Sequence, residues 1–213
     1  MGESMGYRVL TVSREFGSGG GRIAKSIAEK LEWKLLDGAL IEAIARTAHV
    51  DPDVVSHFDE HVESWLSRMN RGAMRSTALA GGVVPEDNST FDPDTMLELT
   101  RQIMEQAYAD GGCVIVGRGA QCILQKKPEV FQAFIYAPLR DRVQRLRSRL
   151  APGVNIEQRI HAVDTERMQY LQQKFGQAWN NPHLYDMMIS AHADEEVTAR
   201  VILYAMTGKN SNA

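Results

Sequence analysis

Glycines and arginines are concentrated at residues 13–22, which read SREFGSGGGR, and their types and spacing suit anion binding. Glycines let successive backbone N–H groups converge on an anion, and a helix that begins there adds the positive end of its dipole. A short β-branched run precedes this stretch, and Ile23, Ile27 and Leu31 follow it with the spacing of an amphipathic helix. Strand, glycine-rich turn and helix together predict a phosphate-binding loop. The alternative is a merely flexible turn.

The predicted loop departs from the usual P-loop pattern, G-x-x-x-x-G-K-[ST]. Gly19 matches the second glycine, but Arg14 stands in place of the first glycine and Gly20 in place of the lysine. The loop residues predicted to bind the nucleotide are Gly17, Ser18, Gly19, Gly20 and Gly21. Because the lysine is missing, another cation has to take its place. Arg14 and Arg22 flank the glycines and are the nearest candidates.

Charged residues also follow two other predicted strands. Asp37 closes the second strand, and Arg118 lies between two glycines after the third. The carboxyl ends of parallel strands form the edge where open α/β sheets bind ligands. The planar guanidinium of Arg118 suits a phosphate, although a surface position in a turn is the alternative. Asp37 could contact a ligand, cap the helix that follows it, or do both.

An arginine-rich helix follows the fourth predicted strand. It carries Arg142 and Arg145, and the Pro-Gly pair at 152–153 ends it like a hinge. A hinged basic lid would close over phosphates, neutralise the transferring group and exclude water, whereas the alternative is a solvated helix face. In the next long helix Asp164 and Arg167 lie three residues apart on the inner face. Charges there must be paired or line a polar site, so a structural bridge and a substrate contact are both open.

The pattern of elements predicts an α/β fold. Strands are predicted at about residues 7–13, 33–37, 113–117, 131–137 and 184–190. Because helices alternate with these strands, one parallel sheet with helices on both faces is expected. The intervening residues are predicted to form an inserted helical acceptor lobe, and the core, lobe and lid to form one domain. The predicted boundaries are 7–38 and 111–207 for the core, 39–110 for the lobe and 139–167 for the lid.

Composition narrows the functional classes. The chain has 213 residues, of which 44% are hydrophobic and 24% charged, with a net charge of −3, so no basic excess suggests nucleic-acid binding. Two cysteines, Cys113 and Cys122, are too few for a disulfide framework and favour a reducing compartment. No apolar run approaches the roughly 20 residues that span a bilayer. We therefore expect a cytoplasmic protein that binds neither membranes nor nucleic acid.

With these motifs, the chain resembles the cytidylate kinase-like family, a branch of the P-loop nucleoside monophosphate kinases, over about residues 7–207. The matching motifs are SREFGSGG, WKLLD, VIVGRG and FIYAP, together with the two lid arginines and the Asp-x-x-Arg at 164–167. The resemblance implies a three-layer P-loop NTPase fold with strand order 2-3-1-4-5, with ATP and Mg²⁺ as cofactors and nucleotides as partners. It leaves open the Mg²⁺ ligands and the choice between monomer and homodimer.

The resemblance also assigns roles to residues. It implies that the matching arginines bind the phosphates of ATP and of the acceptor, and that the matching aspartate helps to recognise the acceptor. The residues expected to be catalytic are Arg14, Arg22, Arg142 and Arg145, and those expected to bind substrate are Asp37, Arg118, Asp164 and Arg167.

Three departures from the family pattern bear on activity. The loop lysine is absent, the arginine expected after the Leu-Leu-Asp motif is missing from residues 40–43, and Gly119 replaces the aspartate of a Gly-Arg-Asp motif. The first departure weakens phosphate activation, and the other two weaken the case for CMP as acceptor. We therefore expect ATP-dependent phosphoryl transfer to a nucleoside monophosphate or related small acceptor. A nucleotide-binding regulatory module that has lost catalysis is the alternative.

Overall fold

The structure is a computed structural model, and it describes residues 6–37, 93–192 and 194–208. The chain divides into two compact units, one formed by residues 1–37 with 107–213 and the other by residues 38–106. The elements that position the candidate site belong to the first unit. The acceptor lobe predicted at 39–110 lies for the most part outside the described residues, so it stays a prediction.

Five strands and six helices are described. The strands are β1 (Val9–Arg14), β2 (Lys34–Leu36), β3 (Cys113–Val116), β4 (Val130–Tyr136) and β5 (Met187–Ser190). The helices are α1 (Gly20–Leu31), α2 (Pro93–Asp110), α3 (Ala120–Ile123), α4 (Leu139–Arg147), α5 (Ile156–Phe175) and α6 (Glu195–Thr207). None of the helices in these ranges is long and apolar enough to cross a membrane.

All five strands form one parallel sheet in the order β2-β3-β1-β4-β5. The central strand β1 pairs with β3 on one side and with β4 on the other. Every residue of β3 is buried, and only the last residue of β4 is exposed. Such unbroken burial is expected of parallel strands that are covered on both faces. The predicted fold class and strand order are therefore confirmed.

Alternate residues of the strands face two different cores. On one face, Val12 of β1 and Ile135 of β4 pack in a large cluster with apolar residues of α1 and α6. On the other face, Phe134 packs with Leu171 of α5 and Trp179, whose ring meets that of Phe134 edge-on at 5.2 Å. The alternation follows from the two-residue repeat of a strand. It gives the three layers of helix, sheet and helix.

The fifth strand was predicted at 184–190, and this start is wrong because β5 begins at Met187. A 3₁₀ turn, Pro182–Leu184, occupies the preceding residues. The side chain of Asn181 accepts the N–H of His183 at 3.1 Å and stabilises that turn. A proline inside the turn fixes its own φ and lacks an N–H for strand pairing. The other strand boundaries differ from the predicted ones by two residues at most.

Gly119 and Gly153 form a matched pair for a test of packing next to the sheet. Both have left-handed backbone, with φ of +77° and +87°. A Cβ on Gly119 would meet the ring of Phe175, whereas a Cβ on Gly153 would meet nothing within 4 Å. Backbone strain for alanine costs about 1–2 kcal/mol at either position, and overpacking adds about 1–3 kcal/mol at Gly119 alone.

We therefore expect Gly119→Ala to lower the free energy of unfolding by about 2–5 kcal/mol and Gly153→Ala by only about 1–2 kcal/mol. Urea unfolding of the two variants and the parent measures the difference. Equal losses in the two variants would contradict the packing of Phe175 against this turn.

Candidate functional site

The glycine-rich loop, residues 15–19, connects the end of β1 to the start of α1. Gly17 and Gly19 have φ of +82° and +89°, a region that other residues rarely adopt. Within the described residues, the N–H groups of Gly17, Gly19 and Gly21 donate to no protein acceptor. Free N–H groups at the start of a helix fit a phosphate. The loop therefore suits the backbone part of the nucleotide site that the sequence predicts.

Ser18 is turned inward and serves the loop itself. Its side chain is buried, and its Oγ accepts the N–H of Gly20 at 3.3 Å. The hydroxyl therefore satisfies one of the N–H groups that a helix leaves unpaired in its first turn. Ser18 shapes the start of α1 in this way.

The side chain of Arg14 explains why a glycine stands where a P-loop has its lysine. A Cβ on Gly20 would lie 2.6 Å from the Cβ of Arg14 and 3.0 Å from its Cγ. The backbone of Gly20 does not have a positive φ, so it does not itself require glycine. At its far end, the Nη1 of Arg14 fills the place of a Cβ on Gly117, directly after β3. Arg14 thus reaches from the glycine-rich loop to the end of the neighbouring strand.

The charges of two arginines and an aspartate act on the guanidinium of Arg14. Burial and the positive charge of Arg167 lower the pKa of Arg14 to about 10. Asp37 raises this pKa and Arg118 lowers it, which places both residues within electrostatic reach. Arg14 nevertheless stays protonated at neutral pH. The structure therefore brings together four predicted site residues in a positively charged group, which fits an anionic ligand.

Arg167 is tied to the loop as well as to this group. Its Nη1 donates to the backbone oxygen of Arg14 at 2.7 Å and lies 3.7 Å from the Oδ1 of Asp164. Its guanidinium carbon lies 5.9 Å from the centre of the Phe16 ring, within range of a cation–π contact. Burial lowers the pKa of Arg167, and Asp164 opposes that shift.

Asp164 and Arg142 pair with each other and with the loop backbone. The Oδ1 of Asp164 accepts the N–H of Phe16 at 2.8 Å, and the Nε of Arg142 donates to the oxygen of Phe16 at 2.8 Å. The Nη2 of Arg142 forms an ion pair with the Oδ2 of Asp164. Only 6% of Arg142 is exposed, so the alternative of a solvated helix face is wrong for this arginine.

Arg145 and Arg22 meet at the carboxylate of Glu195. Arg145 donates to the backbone oxygens of Ser18 at 3.1 Å and of Ala191 at 2.5 Å, and its Nε lies 3.6 Å from the Oε1 of Glu195. The Nε of Arg22 donates to the Oε2 of Glu195 at 2.6 Å, and this bond raises the pKa of Arg22. The same carboxylate occupies the place of a Cβ on Gly19. Both arginines are thus held beside the loop.

Sequence reasoning missed two carboxylates of this site, Glu15 and Glu195. The Oε2 of Glu15 lies 3.2 Å from the Nη1 of Arg142 and accepts the N–H of Ala137 at 2.9 Å. Glu195 lies in the first turn of α6, where the helix dipole favours an acid. The sequence places more arginines than acids near the loop, and buried charges have to be paired. This excess indicated that further carboxylates were needed, but it did not say which ones.

The residues present fit a magnesium-bound nucleotide only in part. Within residues 6–37, 93–192 and 194–208, no three His, Cys, Asp or Glu side chains are grouped to hold a metal ion. Mg²⁺ in phosphate-transfer sites is bound largely by phosphate oxygens and water, with one or two carboxylates. The loop amides therefore fit the phosphates, and the structure assigns no protein ligand to the metal.

A parallel sheet in this order, with a glycine-rich loop after its central strand, defines the class of P-loop kinases. A model of the cytidylate kinase-like family matches residues 9–193, and the chain belongs to that family. The sequence matches no curated protein. The family and the fold support phosphoryl transfer as the general class of reaction.

Solved structures agree on the fold. An uncharacterized protein from Eubacterium ventriosum is similar with a TM-score of 0.68 and 19% identity over 94% of this chain and 99% of its own. Shikimate kinase from Bacteroides thetaiotaomicron has a TM-score of 0.51 and 14% identity over 94% and 98% of the two chains. Shikimate kinase from Acinetobacter baumannii, in complex with shikimate, has a TM-score of 0.50 and 13% identity over 97% of this chain and 96% of its own. Identities this low establish the fold alone.

The lowered pKa of Arg14 leads to a prediction about stability. Its pKa lies below the ordinary value of 12.5, so the folded chain carries the full cost of the buried charge at every pH below about 10. Replacing the guanidinium with an apolar side chain of similar length removes that cost. We expect Arg14→Met to raise the free energy of unfolding by about 1–3 kcal/mol at neutral pH.

Urea unfolding at neutral pH measures this gain, and Arg140→Met is the matched control because 89% of the Arg140 side chain is exposed. The control is expected to change stability by less than about 0.5 kcal/mol. A loss of stability in Arg14→Met would contradict the electrostatic strain that we assign to this residue.

Proposed function

We propose that the protein transfers the γ-phosphoryl group of ATP to a nucleoside monophosphate, CMP-like, or to a related small acceptor. Membership of a kinase-like family supports the reaction class. The observation that carries the proposal is the course of the Arg14 side chain, from Gly20 at the start of α1 to Gly117 directly after β3. It supports a positive charge between the nucleotide loop and the neighbouring strand end, where the transferring group would pass.

In this proposal the loop binds the donor. The N–H groups of Gly17, Gly19 and Gly21 would bind phosphate oxygens, as the start of α1 favours negative charge. Mg²⁺, when bound, would neutralise charge on the phosphates. Arg22 and Arg145, held beside Gly19 by Glu195, would exchange that carboxylate for phosphate oxygens. Both arginine side chains are long and begin on helices next to the loop, Arg22 on α1 and Arg145 on α4, which supports this exchange.

Arg14 would supply the charge that the missing lysine supplies in other P-loop enzymes. A guanidinium that stabilises charge in the transition state contributes a factor of about 10³–10⁵ in rate in phosphoryl transfer. Asp37, Arg118 and Arg167 would bind the acceptor at the carboxyl end of the sheet. Their electrostatic coupling to Arg14 supports a shared anionic ligand. Nucleotides are the expected partners, and a cytoplasmic location is expected.

A regulatory module that binds nucleotide without turnover is the second candidate. The observation in its favour is that Arg22, Arg142 and Arg145 already pair with carboxylates or backbone oxygens. Paired arginines suit a fixed binding site as well as a catalytic one. Incubation of the protein with ATP, Mg²⁺ and a panel of nucleoside monophosphates, followed by product analysis, separates the candidates. ATP binding without product from any acceptor would favour the regulatory module.

Arg14→Ala tests the catalytic role directly. We expect a loss of turnover of about 10³-fold or more with the fold intact, because the charge on the transferring group is then uncompensated. The rate of ADP formation in the presence of acceptor measures the effect. Arg22→Ala is expected to lose less, and Arg140→Ala, on the exposed face of α4, is expected to retain the parent rate. Equal turnover in Arg14→Ala, Arg22→Ala and the parent would contradict the hypothesis that one of these arginines replaces the missing lysine.

A double exchange tests whether Arg14 takes the place of the lysine. Gly20→Lys alone should be unstable, because its Cβ would crowd the stem of Arg14. Arg14→Gly combined with Gly20→Lys restores the ordinary glycine and lysine positions. We expect this double variant to turn over at least about 10-fold faster than Arg14→Gly alone, a gain worth about 1.4 kcal/mol in the barrier. A double variant no faster than the single one would contradict the exchange.

A further inference from the structure

We propose that Asp164 and Arg142 are positioning residues, which hold the glycine-rich loop in its nucleotide-binding form before any nucleotide arrives. The two side chains and the backbone of Phe16 that they grip are called the Phe16 clamp below. This inference rests on the proposed nucleotide site. It departs from the roles that the family resemblance implies, in which these residues touch the substrates.

The clamp grips both polar groups of one loop residue. The N–H of Phe16 donates to Asp164 on α5, and the carbonyl oxygen of Phe16 accepts from Arg142 on α4, each at 2.8 Å. The ion pair between Asp164 and Arg142 connects the two contacts into a ring. Because two helices hold the residue from its two sides, the orientation of its peptide groups is determined. The free N–H of Gly17 belongs to the next residue along the chain.

Every nitrogen of the clamp's arginine already has a protein partner. Its Nε bonds Phe16, its Nη1 lies 3.2 Å from Glu15, and its Nη2 pairs with Asp164. A guanidinium has five N–H groups, but only 6% of Arg142 is exposed, so a phosphate has little access to this arginine unless a partner is displaced. Hydrogen bonds between ionised groups are stronger than neutral ones, so such a displacement is costly. The geometry therefore favours an effect that passes through the loop.

Both side chains of the Phe16 clamp are buried, which favours their contacts with each other and with Phe16. Arg142 is 6% exposed and Asp164 is 9% exposed, so water competes little for either side chain. A buried ion pair is by itself weak evidence of net stability, so we assign this pair to the geometry of the loop that it contacts. Arg142 also restricts Gly17, the residue after Phe16, because a Cβ on Gly17 would lie 3.2 Å from the Cβ of Arg142. Leu146, one turn later on α4, closes the same space at 2.8 Å.

Preformation has a measurable consequence for binding. If only a fraction of the molecules have the loop in its binding form, the apparent dissociation constant rises by the inverse of that fraction. A variant without the clamp should therefore bind nucleotide more weakly in proportion to the loosening of its loop. An arginine or aspartate that only contacts the substrate would leave the ligand-free loop unchanged.

Hydrogen exchange of the ligand-free full chain tests the clamp without any assay of activity. The variants are Asp164→Ala, which removes the contacts of the carboxylate with Phe16, Arg142 and Arg167, and Asp164→Asn, which keeps an oxygen for Phe16 but loses the charge. We expect amide exchange over residues 15–20 to rise about 10-fold or more in Asp164→Ala and less in Asp164→Asn. Exchange in β3 and β4 should stay within about twofold. Glu157→Ala, an exposed acid on the same helix, is the matched control and should leave the loop unchanged.

Titration with ADP completes the test. We expect the dissociation constant for ADP to stay at the parent value in Glu157→Ala, to rise in Asp164→Asn and to rise further in Asp164→Ala. The rises should follow the increases in amide exchange of the loop. Unchanged loop exchange in a folded Asp164→Ala would overturn the clamp, and so would an equal rise throughout the sheet. Should Asp164→Ala not fold, the isosteric Asp164→Asn decides by the same criteria. If the parent protein does not bind ADP, the nucleotide site fails, and the exchange measurements still decide whether the clamp exists.

Discussion

The burial of the Arg14 guanidinium beside other positive charges, at the carboxyl end of the sheet, is the constraint on which the rest of the site depends. Burial of Arg14 raises the cost of its charge, and the positive charges of Arg167 and Arg118 add to that cost. Such a group persists only when carboxylates or ligands offset it. Asp37 offsets part of the charge in the folded chain, and Asp164 balances Arg167 from the other side. An anionic ligand would complete the balance.

The sheet could be predicted because its strands carry local signals. Unbroken apolar runs such as residues 113–117 identify buried parallel strands, and β3 lies where that run predicts it. Pairing has no such local signal, so the order of the strands came from the family resemblance and not from periodicity. The start of β5 was misplaced for a related reason. Leu184 and Tyr185 have the composition of a strand, but the Asn181–Pro182 turn determines the backbone before them.

The residues of the site could be predicted individually, whereas most of their pairings could not. Spacing along a helix favoured a bridge between Asp164 and Arg167, and these two lie 3.7 Å apart. The closer ion pair of Asp164 is with Arg142, 22 residues away on another helix. Only the packing of α4 against α5 brings them together. Sequence patterns report neighbours one turn apart, so contacts between elements stay hidden.

Arginine has a physical advantage over lysine at the end of β1. The surroundings of Arg14 lower its pKa from 12.5 to about 10, and it remains charged at neutral pH. A lysine begins near 10.4, so the same surroundings would hold its proton less firmly than that of an arginine. A loop lysine in an ordinary P-loop lies at the start of the helix, where the dipole faces phosphate. Here the charge belongs to a strand residue beside other arginines, where a guanidinium holds its proton more firmly than an ammonium group.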